Sequence, residues 1–228
     1  MPLGIDFRNR LRSSVIFPHP SRADPDGLLA VGGTLSPENL LRAYASGIFP
    51  WTVQPVTWWS LDPRAVIQFD RFHVPRRLAR TCRSGRFQVT CDRDFAGVIR
   101  GCATADDRRD NTWITPQMLR AYQRLFDLGH AHSIEVWQED QLAGGLYGLA
   151  IGGLFAAESM FHRVRDASKV GLVRLVEHLR ARGYRLLDIQ QLTQATAQFG
   201  ALEIPRPEYL RRLADALQVP VSFGTELS

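Results

Sequence analysis

In the second half of the chain, hydrophobic residues recur first at every second position, then about every 3.6 positions, and then at every second position again. Residues 144–161 form a mostly apolar, glycine-rich run, which predicts a buried pair of strands. Residues 167–183 then show the i, i+3, i+4, i+7 spacing of a helix with one apolar stripe, formed by Leu172, Leu175, Val176 and Leu179. The run YRLLDIQ at residues 184–190 predicts one more strand. This order indicates that the helix covers a sheet.

Helix starts and ends upstream are marked by capping residues. Ser36 before Pro37 is typical of a helix start, and Gly47 is placed to end that helix. Thr115 is the expected cap of another helix, and Asp92 of a third. The helices predicted in this half of the chain span 37–46, 75–84, 95–103 and 116–128. The strands predicted upstream of the central run span 64–69, 87–91, 131–138 and 141–153.

These elements predict a chain of two parts, a small domain over residues 1–62 and a larger one over 63–228. A length of 228 residues suits this arrangement. The end of the first part is unusually aromatic, with Phe49, Trp51, Trp58 and Trp59, and such residues can pack two domains together. Residues 103–113 are polar and predict a loop that leads to Trp113.

Composition narrows the classes of function. The hydrophobic fraction of 45% is typical of a globular protein, and the net charge of +5 favours an anionic partner. Cys82, Cys91 and Cys102 show no CxxC spacing, so neither a disulfide framework nor a zinc site is indicated. No apolar run reaches the ~20 residues that cross a bilayer, and the N-terminus does not resemble a signal peptide. We therefore expect a cytoplasmic protein.

The glycines of residues 144–153 do not form a nucleotide-binding loop. Neither GxGxxG after a strand nor GxxxxGK[ST] occurs, which disfavours dinucleotides and ATP. Acetyl-CoA would need a glycine-rich turn at a helix start to hold its pyrophosphate. Here the helix opens with RVRDASKVG, so an acetyltransferase is a weaker interpretation.

Glu158, Asp188 and Gln190 are the polar residues that stand out in the apolar central region. Side chains two apart on a strand share a face, so Asp188 and Gln190 are expected to contact one ligand while Ile189 points into the core. By itself, a D-x-Q pair is more often a surface carboxylate beside an amide. Glu158 can equally be a structural carboxylate bound by backbone amides.

Arg76, Arg80 and Arg83 fall at i, i+4 and i+7 of a predicted helix and therefore share one face. Such a stripe can hold the phosphates of a nucleic acid without reading its sequence. A solvated surface helix has the same pattern, and the residues do not decide between the two.

Several motifs together resemble the leucyl/phenylalanyl-tRNA–protein transferase family over roughly residues 25–215. They are LAVGGTLSPENLLRAYASGIFPW and WWSLDPRAV, then TWIT, MxxAY and AHSIEVW, then ESMF, ASK, D-x-Q and GALEIPRPEYLRRL. The resemblance implies an α+β protein, in which a small N-terminal α/β domain precedes a GNAT-like acyltransferase domain with a mixed, largely antiparallel sheet.

The resemblance also implies an activity. Members move leucine or phenylalanine, with methionine as a further donor, from aminoacyl-tRNA to the α-amino group of proteins that begin with arginine or lysine, and so mark them for N-degron degradation. The aminoacyl ester is already activated, so no cofactor or metal is expected. We expect a monomer without a membrane partner. Two alternatives are a sister transferase that acts on acidic N-termini and an aminoacyl-tRNA-binding protein without catalysis.

By this resemblance, the Gln190 side-chain oxygen accepts from the attacking amine, and Asp188 accepts from the Gln190 side-chain amide. Asp188 can alternatively be the base or an electrostatic brace. Glu158 either faces the cationic N-terminal residue or supports the site. Trp51 and Trp113 are expected to hold the terminal adenosine of the tRNA.

An apolar pocket for the transferred side chain is expected from six residues, most of which would also be core residues in any protein of this fold. They are Leu146, Phe155, Met160, Leu172, Leu175 and Leu187. Three positions depart from the family pattern: Ala157 where glycine is usual, Ile189 where cysteine is usual, and Ala195 where histidine is common.

Overall fold

The computed structural model describes residues 16–105 and 112–227. The predicted polar loop at 103–113 therefore lies mostly outside the described residues. The helices are α1 Pro37–Ala45, α2 Arg76–Arg83, α3 Phe95–Thr104, α4 Pro116–Asp127, α5 Ala167–Arg182, α6 Gln194–Ala197 and α7 Arg206–Leu217. The strands are β1 Leu28–Val31, β2 Phe49–Val53, β3 Val56–Trp59, β4 Arg64–Ile67, β5 Gln88–Cys91, β6 Ala131–Gln138, β7 Gln141–Ile151, β8 Leu154–His162, β9 Leu186–Gln190 and β10 Ala201–Ile204.

The described strands form two sheets. The smaller has the order β1-β3-β2 and is antiparallel. The larger has the order β10-β4-β9-β8-β7-β6-β5, and β8 and β9 form its parallel pair. That pair is parallel because α5 carries the chain back across the sheet between the two strands. The predicted α+β class and the mixed, largely antiparallel sheet are confirmed.

Capping residues fix most helix starts where the sequence predicts them. Ser36 and Thr115 each accept a hydrogen bond from a backbone N–H of the first turn, with proline at the first helical position. The prediction that Asp92 caps α3 is wrong, because Asp94 fills that role. Asp92 instead has a φ of 56° and accepts hydrogen bonds from Ser133 N and from the His132 ring.

The aromatic stretch at the end of the first part is a strand hairpin, β2 and β3, for which the sequence analysis predicts no strands. Trp58 is fully buried, and its indole nitrogen donates to the Gly32 carbonyl at 2.8 Å. Trp51 lies on the other strand and keeps part of its surface exposed. The aromatic residues therefore form part of the small sheet, and Phe49 and Trp58 also belong to the core that it shares with the larger sheet.

Helices cover both faces of the larger sheet. On one face α5 packs against β6, β7 and β8 through the apolar stripe that its spacing predicts. On the other face α3 packs against the same three strands, and its core continues into α1 and the small sheet. The two sheets thus share a core. The domain boundary at 62–63 stays a prediction.

The parallel pair opens into a cleft. β8 and β9 pair only from Leu154 to Ala156 and from Leu186 to Asp188, although β8 continues to His162 against β7. Beyond Ala156 the two strands diverge, so one edge of β8 is left without a strand neighbour among the described residues. Within those residues, no helix is long and apolar enough to cross a membrane.

Candidate active site

The cleft between the diverging strands has a volume of about 500 Å³, within the range of small-molecule sites. Residues 157–160 of β8 form one wall, and residues 189–191 at the end of β9 form another. The third wall is Phe49, Pro50 and Trp51 of the small sheet, with Trp113 beside it. The site therefore lies where the N-terminal part of the chain meets the larger sheet.

Seven of the fourteen residues proposed from the sequence as catalytic, substrate-binding or phosphate-binding line this cleft: Trp51, Trp113, Leu146, Glu158, Met160, Leu172 and Gln190. Ala157, Ile189 and Ala195, the departures from the family pattern, line it as well. The alternation of β7 and the helical stripe of α5 bring Leu146 and Leu172 to one end, next to Met160. That end is apolar.

Phe155, Leu175 and Leu187 lie in the core behind the cleft, which corrects the predicted pocket lining. All three are completely buried. Phe155 pairs with Leu187 in the part of the sheet where β8 and β9 are still joined, below the point of divergence. Leu175 lies one helical turn beyond Leu172. Spacing alone predicts burial for such residues but not whether they border a cavity.

Gln190 and Glu158 meet across the cleft. Gln190 Nε2 donates to Glu158 Oε1 at 3.0 Å, and the Tyr122 hydroxyl donates to Glu158 Oε2 at 2.8 Å. The Tyr44 and Tyr122 hydroxyls are 2.6 Å apart in the core. Glu158 is thus held by side chains from α4 and β9 rather than by backbone amides. The alternative of a structural carboxylate bound by backbone N–H groups does not describe its contacts.

Asp188 lies beneath the cleft. Its carboxylate is completely buried and accepts from Arg64 Nε at 2.9 Å, from Arg64 Nη2 at 2.7 Å and from the Tyr209 hydroxyl at 2.8 Å. It also accepts from the backbone N–H of Gln190 at 2.9 Å. The prediction that it accepts from the Gln190 side-chain amide is therefore wrong, since that amide donates to Glu158.

A break in the strand register explains the difference. Against β4, Ala65 faces Gln190 but Val66 faces Asp188, so Ile189 is an extra residue on β9. Such a bulge reorients the side chains that follow it. Gln190 has a φ of 54°, and Ile189, predicted to point into the core, packs partly against the core and also borders the cleft. Simple alternation fails at this position.

The sequence reasoning missed Arg64 and Tyr209. Each lies within a quoted motif, WWSLDPRAV or GALEIPRPEYLRRL, and Arg64 opens a strand whose four residues are all buried. An arginine in an apolar strand requires a buried anion, because an unpaired charge there is very unfavourable. That requirement was the signal that could have found the ion pair.

The two carboxylates have different electrostatic surroundings. Burial raises the pKa of Glu158 to about 7, against the opposing effect of the Tyr44 and Tyr122 hydroxyls. Burial by itself lowers the pKa of Arg64, but the Asp188 carboxylate outweighs it and the net shift is upward. Arg64 therefore stays charged beside Asp188, while Glu158 changes charge near neutral pH.

The arrangement suits a direct transfer between two bound substrates. Among the described lining residues there is no cysteine, histidine or lysine, so the strongest nucleophiles of covalent catalysis are not part of the lining. Glu158 can exchange a proton near pH 7, and Gln190 can orient a donor or acceptor group. The apolar end and the tryptophans can hold a ligand that carries both an apolar group and a flat ring.

Arg76, Arg80 and Arg83 are all exposed along α2, on the face that their spacing predicts. They do not line the cleft. Their guanidinium groups are thus free to contact a large ligand that extends beyond it.

Comparison with known proteins gives matches along nearly the whole chain. The family model described as leucyl/phenylalanyl-tRNA protein transferase matches residues 66–214, and the model of its N-terminal domain matches residues 33–62. A leucyl/phenylalanyl-tRNA–protein transferase of Anaeromyxobacter sp. (strain Fw109-5) is 55% identical over 218 residues, which is 94% of this chain and 93% of the relative. One of Nitratidesulfovibrio vulgaris (strain DP4) is 51% identical over 212 residues, 92% of this chain and 91% of the relative.

Among solved structures, an aminoglycoside acetyltransferase from an uncultured soil sample overlaps with a TM-score of 0.39 at 11% identity. It covers 59% of this chain and 89% of its own. A likeness this loose carries no argument about function.

The raised pKa of Glu158 predicts a pH-dependent effect of the substitution Glu158→Gln on stability. The folded protein binds the Glu158 proton more tightly than the unfolded chain does, and this tighter binding stabilises the folded state. The stabilisation is complete below about pH 4.5 and is lost as the pH rises through 7. Glutamine does not ionise. We therefore expect the variant to gain stability relative to the wild type between pH 5.5 and 8.5, measured by urea unfolding. Glu177→Gln, at an exposed glutamate of α5, is the control. A difference that stays constant over this range would contradict the prediction.

Proposed function

The chain belongs to the leucyl/phenylalanyl-tRNA–protein transferase family, and we propose that it transfers leucine, phenylalanine or methionine from aminoacyl-tRNA to proteins that begin with arginine or lysine. The observation that supports this most is one cleft that joins an apolar end, a carboxylate with an amide, and two tryptophans. These three parts correspond to the side chain, the reacting groups and the adenosine of the substrates. The new N-terminal residue would mark the acceptor for degradation by the N-degron pathway.

The apolar end of the cleft would take the transferred side chain. Leu146, Met160 and Leu172 border it, and the unbranched thioether of methionine adapts to ligands of different shape. A hydrophobic pocket separates ligands that differ by one methylene by only about 1–3 kcal/mol. We therefore propose graded selectivity among leucine, phenylalanine and methionine.

Trp51 and Trp113 would hold the adenosine at the 3′ end of the tRNA. Both are partly exposed on the cleft, and Trp51 is kept in place by edge contact with Trp59, with ring centroids 5.1 Å apart. Unpaired bases commonly stack on such aromatic faces. The exposed arginines of α2 would then contact phosphates further along the tRNA.

Glu158 would attract the positive charge of the acceptor. Above about pH 7 its carboxylate is negative and lies between Gln190 and Tyr122. An arginine or lysine at the acceptor N-terminus brings a second cation next to the α-ammonium group. An acidic N-terminal residue would be repelled, which favours basic over acidic acceptors.

In the chemical step, the neutral α-amine attacks the ester carbonyl carbon of the aminoacyl-tRNA. A free α-amino group has a pKa of about 8, so part of it is neutral at neutral pH. The Gln190 amide nitrogen is engaged with Glu158, which leaves its carbonyl oxygen to accept from the amine. The new C–N bond forms as the C–O bond to the ribose breaks, and the proton lost by the amine passes to the leaving ribose oxygen, which becomes a hydroxyl group. Glu158 can take the proton that the ammonium must first release.

We further propose a cytoplasmic monomer without a membrane partner. The substrates proposed here, charged tRNA and protein N-termini, are themselves cytoplasmic. Cys82, Cys91 and Cys102 are not joined in disulfides among the described residues, as is usual in a reducing compartment.

The proposed function predicts which peptides are modified. Labelled Leu-tRNA is incubated with four peptides that differ only in the first residue: arginine, lysine, aspartate or glutamate. We expect incorporation into the first two. Incorporation restricted to the acidic pair would replace this proposal with a sister transferase, and tight tRNA binding without any incorporation would indicate a binding protein without catalysis.

Stacking on the two tryptophans predicts a loss of donor affinity on substitution. Trp51→Ala or Trp113→Ala should weaken aminoacyl-tRNA binding by about 1–3 kcal/mol, the value of one stacked base, with a cooperative unfolding transition retained. Trp137→Ala, at a partly exposed tryptophan of β6 outside the cleft lining, is the control. Equal affinity for all four proteins, or loss of cooperative unfolding in both cleft variants, would assign these residues to domain packing instead.

The arginines of α2 predict a change in salt dependence. Replacing Arg76, Arg80 and Arg83 with alanine should weaken tRNA binding and lower the slope of log affinity against log salt by roughly 2 to 3, because each lost phosphate contact removes about 0.7–0.9. Replacing the exposed Arg124, Arg180 and Arg211 gives the same change in net charge on three other helices. A slope that changes equally in both variants would indicate general charge effects and not contacts along α2.

A further inference from the structure

The ion pair beneath the cleft connects three separate parts of the fold. Arg64 opens β4, Asp188 lies on β9 and Tyr209 lies in α7, and all three side chains are essentially completely buried. Asp188 receives four hydrogen bonds, two from Arg64, one from Tyr209 and one from the backbone of Gln190. Its oxygens are fully occupied, and they do not border the cleft.

Arg64 is itself fixed by packing. Its guanidinium carbon lies 4.6 Å from the centroid of the Phe49 ring and 4.7 Å from that of Tyr209. Its Nη1 approaches the Gly47 carbonyl oxygen at 3.4 Å. A planar guanidinium suits both the bidentate pair and the ring contacts, whereas a lysine ammonium would lose the fork and the stacking. Phe49 also lines the cleft, so Arg64 touches one of its walls.

Gln190 needs external support to keep its conformation. Its φ of 54° lies in the left-handed region, which residues other than glycine seldom adopt. The bond from its N–H to Asp188 holds this conformation. Its side chain then points to Glu158, with 3.0 Å between Gln190 Nε2 and Glu158 Oε1. The direction of the Gln190 amide thus depends on a carboxylate that lies outside the cleft.

We propose that Arg64 and Tyr209 are positioning residues of the transfer reaction, which hold Asp188 so that its carboxylate fixes the backbone of Gln190 and directs the Gln190 side chain into the cleft. This inference rests on the function proposed above. It assigns Asp188 the role of a brace and removes it as the base. Arg64 and Tyr209 touch neither substrate, and they act on the reaction through Gln190.

The mildest test is Tyr209→Phe, which removes one hydrogen bond to Asp188 and keeps the ring against Arg64. We expect the transfer rate, measured in a single turnover at saturating aminoacyl-tRNA, to fall about tenfold, because a hydrogen bond to a charged group is lost. Donor affinity should not change. Tyr184→Phe is the matched control, since the buried Tyr184 hydroxyl has no hydrogen-bond partner among the described residues. A rate within twofold of the wild type for Tyr209→Phe would overturn the proposal.

A second test asks whether Tyr209 acts through Gln190. Residues that work as one unit give non-additive losses. We therefore expect Tyr209→Phe to change the rate less than twofold when it is introduced into Gln190→Ala. A tenfold loss in that background as well would show a separate effect, for instance on folding, and would overturn the proposal.

A third measurement does not depend on activity. Arg64→Lys removes the fork on Asp188, and the exchange of the Gln190 backbone amide hydrogen is followed by NMR beside that of Ile134 in the centre of β6. Faster exchange at Gln190, with Ile134 unchanged, supports the proposal. Equal acceleration at both sites, or none at Gln190, overturns it. If the wild type transfers nothing to an arginine peptide, the proposed function fails, and this measurement still decides whether Arg64 positions Gln190.

Discussion

The divergence of β8 from β9 after three residue pairs is the constraint on which the site depends. A parallel sheet is normally continuous, and an opening in its middle exposes polar backbone groups and the interior on either side. Here β9 stays paired with β4, and β8 stays paired with β7, so the strands on both sides of the opening are held in place. The bulge at Ile189 directly follows Asp188, the last residue of β9 that pairs with β8, and the ion pair of Arg64 with Asp188 closes the space below.

Asp188 and Glu158, the two carboxylates near the cleft, lie in opposite electrostatic surroundings. Asp188 is surrounded by donors that include a full positive charge. Glu158 receives only neutral donors, and burial moves its pKa to about 7. Carboxylates that lie in such different surroundings usually have separate tasks in a reaction. Asp188 keeps the site in its conformation, and Glu158 can respond to a charged substrate.

The sequence predicted the elements better than the details of the site. Periodicity located α5 and β9, and the caps at Ser36 and Thr115 located two helix starts, because these features depend on neighbouring residues alone. The bulge at Ile189 depends on pairing with β4, which is distant in sequence, and no local pattern indicates it. For the same reason the partner of Asp188 was not foreseen. Which apolar residues border the cleft depends on where two strands separate, and burial patterns do not contain that information.

The packing of Arg64 has a further consequence. Phe49 borders the cleft on the N-terminal side, and Gln190 borders it on the opposite side. Arg64 contacts the Phe49 ring directly, and it supports Gln190 through Asp188. The spacing between the two walls is therefore established when the chain folds. Two reactants held against such walls need little reorganisation of the protein when they meet, because the walls were ordered during folding. In this fold, a single buried guanidinium uses part of the folding free energy to keep the two walls at a fixed separation.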